Sequence, residues 1–310
     1  MRPDPRLLRL LPILALLGLL AAFLSACGSA GTASGDGGGK LRVVAAEDFW
    51  GSIATQLGGD RVEVTNIITS PSADPHDYEP TSEDARTMAT AQLAIVNGIG
   101  YDAWATKLLE AEPNADRAEL DVGTLLGLAD GDNPHQWYSP AAVQRVIDRI
   151  SAEYERADPA HKAYFETRRQ RFERVALAEY DRLIERIRSR YGGTPVGASE
   201  SIFAPLAAAL GLDLVTPESF LDAVSEGTEP TPADKVTVDR QLSGRKVRLW
   251  VYNSQNATPD IQRLNDAASG AGIPTATVTE TLTPEGASFQ AWQVRELKGL
   301  ETALERSGSG

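Results

Sequence analysis

One cysteine, Cys27, in 310 residues leaves no pair to cross-link. A disulfide framework and an all-thiolate metal cluster are therefore excluded, and stability must come from core burial. Histidine is nearly as scarce, with three in the chain. No HExxH pair, no Walker-type phosphate loop and no G-x-S-x-G nucleophile elbow occurs, so the commonest signatures of metalloprotease, nucleotide and serine-hydrolase chemistry are missing. No solenoid period appears. Basic excess is absent too: 30 Lys and Arg stand against 43 Asp and Glu, a net charge of −13. Such a balance argues against a nucleic-acid partner and suits solubility and cation attraction.

The one long apolar run, residues 10–24, follows Arg2, Arg6 and Arg9 and leads into Leu24-Ser25-Ala26-Cys27. It is shorter than the ~20 residues a membrane span needs. A basic start, a short apolar stretch and a small-residue cleavage site describe a signal peptide over 1–26. Leu-Ser-Ala-Cys resembles the bacterial lipobox, which implies lipidation at Cys27 and an extracytoplasmic, membrane-anchored protein. Cleavage removes a charge of +2 and leaves the mature chain at −15. Residues 27–40, rich in Gly and Ser, read as a flexible tether outside the fold.

From Leu41 onward short apolar runs alternate with helical patterns. Strands are predicted at 41–46, 62–69, 93–98, 195–199, 212–217, 247–253 and 275–281, with helices between them at 49–57, 82–90, 103–110, 140–154 and 259–270. Alternation in both halves predicts an α/β fold of two open lobes with mostly parallel sheets, over 41–157 and 192–305. The middle breaks the rhythm. Asp158-Pro159 is a good helix start, Gly192-Gly193 a good stop, and no Gly or Pro lies between Ala160 and Tyr191. Phe165, Phe172, Ala176, Tyr180, Leu183 and Ile187 form one apolar stripe. A backbone helix over 158–191, about 45 Å long, would join the lobes.

A short echo is the sharpest chemical signal. DPHDYEP (74–80) and NPHQWYSP (133–140) share a carboxylate or its amide, then Pro, His, a polar residue and an aromatic. Flanking prolines rigidify a loop, and both loops fall at connections where open α/β sheets bind ligands. His76 and His135 are thus candidate metal ligands, with solvated loop histidines as the plain alternative. His161 lacks the frame and reads as a surface residue. Trp137, Trp250 and Trp292 read as core or supporting residues. Asn253 and Gln255 either support the site by hydrogen bonds or close a polar strand end.

DPHDYEPTSED, the NGIGYDAW turn and NPHQWYSP together resemble the matching stretches of the zinc/manganese-class substrate-binding lipoproteins of ABC transporters. The resemblance implies a central helix between two α/β lobes and one His ligand from each Pro-His loop. It also implies two ligands from the C-terminal lobe, which fall on Glu200 in SESIF and on Glu280 in VTETL. A Glu at 280 departs from the usual Asp, and Glu218 and Glu229 compete as carboxylates of the same lobe. Two imidazoles and two carboxylates suit Mn(II) and Zn(II) alike. The function implied is a monomeric receptor, not an enzyme, that captures Mn2+ or Zn2+ and delivers it to an ABC permease. The rivals are a metal-dependent hydrolase on the same residues, a siderophore or corrinoid receptor, and a surface adhesin with an incidental metal.

Overall fold

Two four-stranded sheets, each wholly parallel, organise the chain. The computed structural model describes residues 39–70 and 78–308, and all of these but Gly39 belong to one unit that spans Lys40–Gly310. Cys27, the signal peptide and His76 lie outside the described residues.

The first half runs β1 (Leu41–Glu47), α1 (Asp48–Gly58), β2 (Val62–Ile68), α2 (Ser82–Ala89), β3 (Leu93–Val96), α3 (Ala103–Ala111), β4 (Ala118–Asp121), α4 (Val122–Leu126) and α5 (Pro140–Ala157). Its strand order is β2-β1-β3-β4. After α6 (Lys162–Arg171) and α7 (Ala178–Tyr191) come β5 (Pro195–Ala198), α8 (Ala204–Ala209), β6 (Asp213–Leu214), α9 (Glu218–Ser225), α10 (Pro232–Ser243), β7 (Leu249–Asn253), α11 (Pro259–Gly270), β8 (Thr275–Val278) and α12 (Phe289–Ser307). The second order, β6-β5-β7-β8, repeats the first. In each sheet the chain steps to one side of the first strand and then to the other. The crevice beyond those strand ends is where such sheets take ligands.

Period-two alternation sets the layers. Val43 and Ala45 face one cluster, Val44 and Ala46 the other. The larger cluster is shared by both sheets: it joins Val43, Leu93, Val196, Leu249 and Val278 to α1, α5, α7 and α12. Smaller clusters lie under the outer faces, one around Met88 and Trp104, the other around Trp250, Val238 and Leu264. Side-chain caps start the packing helices. Ser139 accepts from Ala142 N ahead of Pro140 in α5, Thr81 and Asp84 form a capping box on α2, and Ser288 caps α12. Each such cap is worth about 1 kcal/mol. Among the described residues no helix is long and apolar enough to cross a membrane.

The connecting segment differs from a single continuous helix. It opens with a 3-10 turn at Pro159–His161, continues as α6, widens into a π-turn over Phe172–Ala176 and resumes as α7. Asp158 does not cap a backbone amide; its carboxylate holds His161 Nδ1 at 2.8 Å. In the π-turn Leu177 N reaches Phe172 O at 3.0 Å. The extra residue moves the stripe from Ala176 to Leu177, which is buried, and turns Val175 outward at 68% exposure. A branched hydrocarbon thus takes the core position that strict helical spacing gives to an alanine.

Candidate metal centre

β3 leads into Asn97-Gly98-Ile99-Gly100-Tyr101-Asp102, a turn that needs three successive positive φ angles: Gly98 at 70°, Ile99 at 59° and Gly100 at 77°. At Gly98 a Cβ would also meet the Asp121 carboxylate at 2.6 Å. The Asp102 carboxylate closes the turn by accepting from Asn97 N at 2.7 Å and Gly98 N at 2.8 Å. The Asn97 side chain accepts from Trp50 Nε1 and donates to Pro134 O, both at 3.0 Å. It thereby pins the loop that carries His135.

His135 is 1% exposed. Its Nδ1 lies 2.8 Å from Asn133 Oδ1, which also accepts from His135 N at 3.0 Å. The Asn133 amide nitrogen donates to Ser201 O at 2.7 Å, which orients the oxygen toward the ring. An amide oxygen only accepts, so Nδ1 carries a proton, and in the neutral ring the lone pair sits on Nε2. This is the tautomer a metal-binding imidazole takes when its other nitrogen is held by a neighbouring acceptor.

The opposite wall comes from the second sheet. Glu200 follows β5 and is 2% exposed; Glu280 follows β8, with its side chain 13% exposed. Asn253, the last residue of β7, donates its amide to Glu200 Oε2 at 3.2 Å and to Glu280 Oε1 at 3.0 Å. Tyr101 reaches across from the first lobe and donates to Glu280 Oε2 at 2.9 Å. His135 Nε2 lies 3.7 Å from Glu280 Oε1. Gln255 accepts from the backbone amides of Glu280 and Thr281 and donates to Thr281 Oγ1, so it shapes the loop that presents Glu280. Asn253 and Gln255 therefore do more than close a strand end. Tyr101 and Asn133 lie inside the NGIGYDAW and NPHQWYSP stretches, but no spacing or composition in the sequence marks either one as a partner of Glu280 or His135.

His135 thus lies beside Glu280, and Asn253 links Glu280 to Glu200 beyond the strand ends of the second sheet. Among the described residues no three His, Cys, Asp or Glu side chains form a complete metal-ligand group, and His76 lies outside them. Glu229, at 77% side-chain exposure, pairs with Lys235, and Glu218 is exposed on α9. Neither competing carboxylate joins the cluster. His161 stays with Asp158. Trp137, Trp250 and Trp292 are fully buried, and Trp137 lies 5.2 Å from the His135 ring between centroids. A cleft of about 200 Å³ opens beside His135, with Asn133, Ser201 and Asp222 on its walls.

Buried carboxyls surround this region. Burial pushes Asp48 up to about 7 and Asp102 up to about 6. Burial, together with the neighbouring Asp102, also pushes Glu47 well above the usual carboxylate range.

The chain is similar to known metal-transport components over nearly all its described length. The family model for the zinc-uptake complex component A, periplasmic, matches residues 43–303. The manganese ABC transporter substrate-binding lipoprotein PsaA of Streptococcus anginosus is 27% identical over 255 residues, covering 76% of this chain and 79% of that protein. The metal ABC transporter substrate-binding lipoprotein FimA of Streptococcus parasanguinis is 28% identical over 291 residues, covering 85% and 87%. Among solved structures, the periplasmic zinc binding protein TroA from Treponema pallidum superposes with a TM-score of 0.72 at 17% identity, over 86% of this chain and 99% of that one. The Mn-bound periplasmic metal binding protein from Candidatus Liberibacter asiaticus gives 0.68 at 18%, over 86% and 100%. These likenesses establish the fold of two parallel-sheet lobes, and the match over 43–303 establishes that the chain belongs to the periplasmic zinc-uptake complex component A family.

Proposed function

We propose that this protein is an extracytoplasmic receptor that takes one Mn(II) or Zn(II) ion as cargo between its lobes and hands it to an ABC permease. One observation carries the reading. His135, with its lone pair fixed on Nε2, lies 3.7 Å from Glu280, and a single Asn253 amide ties Glu280 to Glu200. Two carboxylates neutralise a divalent ion, so a buried site of this composition carries little net charge once filled. In this reading His135, Glu200 and Glu280 are ligands and His76, from the other Pro-His loop, completes the set. Mixed N and O donors accommodate Mn(II) and Zn(II), and relatives named for manganese support that class.

The packing bears on release. Gln56 in α1 and Gln290 in α12 exchange amide hydrogen bonds at 2.7 and 3.0 Å, Phe289 N donates to Ser52 Oγ at 2.9 Å, and the main core is shared by both sheets. Such cross-lobe ties favour small rocking adjustments over wide hinge opening. Pockets for drug-sized ligands run to roughly 300–1,000 Å³, so the cleft of about 200 Å³ beside His135 suits a bare ion better than a bulky chelate. Relatives are named as transport components, and we assign this chain transport without turnover. Cys27 carries the lipid anchor, residues 27–40 serve as the leash, and the receptor acts as a monomer.

Metal analysis of the mature protein tests the reading. About one Mn(II) or Zn(II) should be retained per chain, and His76→Ala combined with His135→Ala should lose it. Equal loading of wild type and double variant contradicts the assignment. Cys27→Ser protein should leave the membrane fraction and still bind the ion.

A further inference from the structure

Behind the candidate ligands lies a buried network that no local sequence pattern marks. Tyr138, three residues beyond His135, is fully buried, and its hydroxyl sits 2.6 Å from Glu296 Oε2 and 2.9 Å from Thr279 O. The same hydroxyl accepts from Thr279 N at 3.2 Å. Glu296, in α12, receives Trp292 Nε1 at 2.9 Å on Oε1, and Thr279 Oγ1 stands 2.9 Å from that oxygen. Thr279 immediately precedes Glu280. One cluster therefore joins the loop carrying one candidate ligand to the strand end carrying another, across the two lobes.

The protons can be assigned by counting. A tyrosine hydroxyl has one hydrogen and can accept two. Both Thr279 O and Glu296 Oε2 are acceptors when Glu296 is ionised, and one hydrogen cannot serve both at these distances. A neutral Glu296 resolves the conflict. Its Oε2–H donates to the Tyr138 oxygen, the Tyr138 hydrogen goes to Thr279 O, and Thr279 N fills the second acceptor position. Trp292 Nε1, 2.9 Å from Oε1 and 2.8 Å from Thr279 Oγ1, donates into this pair, and Thr279 Oγ1 is free to donate to Thr281 O at 3.0 Å. Burial independently pushes Glu296 up to about 8.

We propose that Tyr138 and a protonated Glu296 are positioning residues for metal binding, locking the Thr279–Glu280 strand end to the His135 loop. They do not touch the ion. They fix where Glu280 sits relative to His135, and residues that orient ligands in this way typically govern about 10- to 100-fold in metal affinity. The inference rests on Glu280 and His135 being ligands, as proposed above.

The test compares Tyr138→Phe, Glu296→Leu and Glu296→Gln with wild type in the mature protein. Affinity is measured by competition for Zn(II) and Mn(II), the visible spectrum is recorded with Co(II) bound, and thermal stability is measured without metal. Tyr138→Phe and Glu296→Leu should bind about 10-fold or more weakly, with an altered Co(II) spectrum. Glu296→Gln keeps a donor for Tyr138 and an acceptor for Trp292, so it should bind within about 3-fold of wild type. If Glu296→Leu does not fold, Tyr138→Phe against Glu296→Gln still decides. Wild-type affinity and spectrum in Tyr138→Phe, with Glu280→Ala losing the ion, would overturn the positioning role and leave the metal site standing. Loss of binding in Glu296→Gln as large as in Glu296→Leu would overturn the protonated state. A wild-type protein that binds none of the three ions would remove the metal site and this inference with it.

Discussion

One carboxamide, that of Asn253, stands between Glu200 and Glu280. As the ligands proposed above, the two carboxylates would neutralise a divalent cation held between them. Asn133 performs the matching task on the imidazole side by fixing the proton on His135 Nδ1. Asn133→Ala should weaken Zn(II) binding about 10- to 100-fold, measured by chelator competition; an unchanged affinity would show that the tautomer needs no partner. His135 is legible from sequence because its Pro-His frame is duplicated. Glu200 and Glu280 are not, since each is one of 43 acidic residues, and only resemblance to a family points at them. The Tyr138–Glu296 bond spans 158 positions, a distance over which periodicity carries no information.

At the scale of elements, the informative case is the π-turn at Phe172–Ala176. It lets Leu177 fill the core, so Leu177→Ala should cost about 2–5 kcal/mol. Val175→Gln, on the exposed side, should stay within about 0.5 kcal/mol of wild type. Denaturant unfolding of the metal-free protein distinguishes them; equal effects would place the core stripe elsewhere. Apolar spacing locates this segment and its ends but not the turn, because no Gly or Pro marks it and the one-residue slip becomes visible only against α12 and α5. Strand alternation marks β1, β2, β3, β5, β7 and β8 well. It misses β4, Ala118–Asp121, a short strand with a single deeply buried apolar side chain, Leu120, at the edge of its sheet.

For the molecule as a whole, the buried carboxyls set the response to pH. Glu47, Asp48, Asp102 and Glu296 all hold their protons longer in the folded protein than in an unfolded chain, the last three up to about 7, 6 and 8. Between about pH 4.5 and pH 8 the unfolded state binds fewer protons than the folded one, so stability falls as pH rises. The metal-free mature protein should therefore melt higher near pH 5.5 than near pH 8, and Glu296→Gln should flatten the upper part of that slope. A melting temperature that climbs across this window would contradict the protonation states given. Bound metal adds stability by mass action, about 2.7 kcal/mol at one hundred times Kd. The central claim is that His135, Glu200 and Glu280 share one ion with His76. Crystals of Mn(II)-loaded protein measured at the manganese absorption edge test it most directly. One anomalous peak is predicted, within bonding distance of His135 Nε2 and of a carboxylate oxygen of Glu200 and of Glu280. A peak ligated by other side chains, or no peak between the lobes, would contradict it.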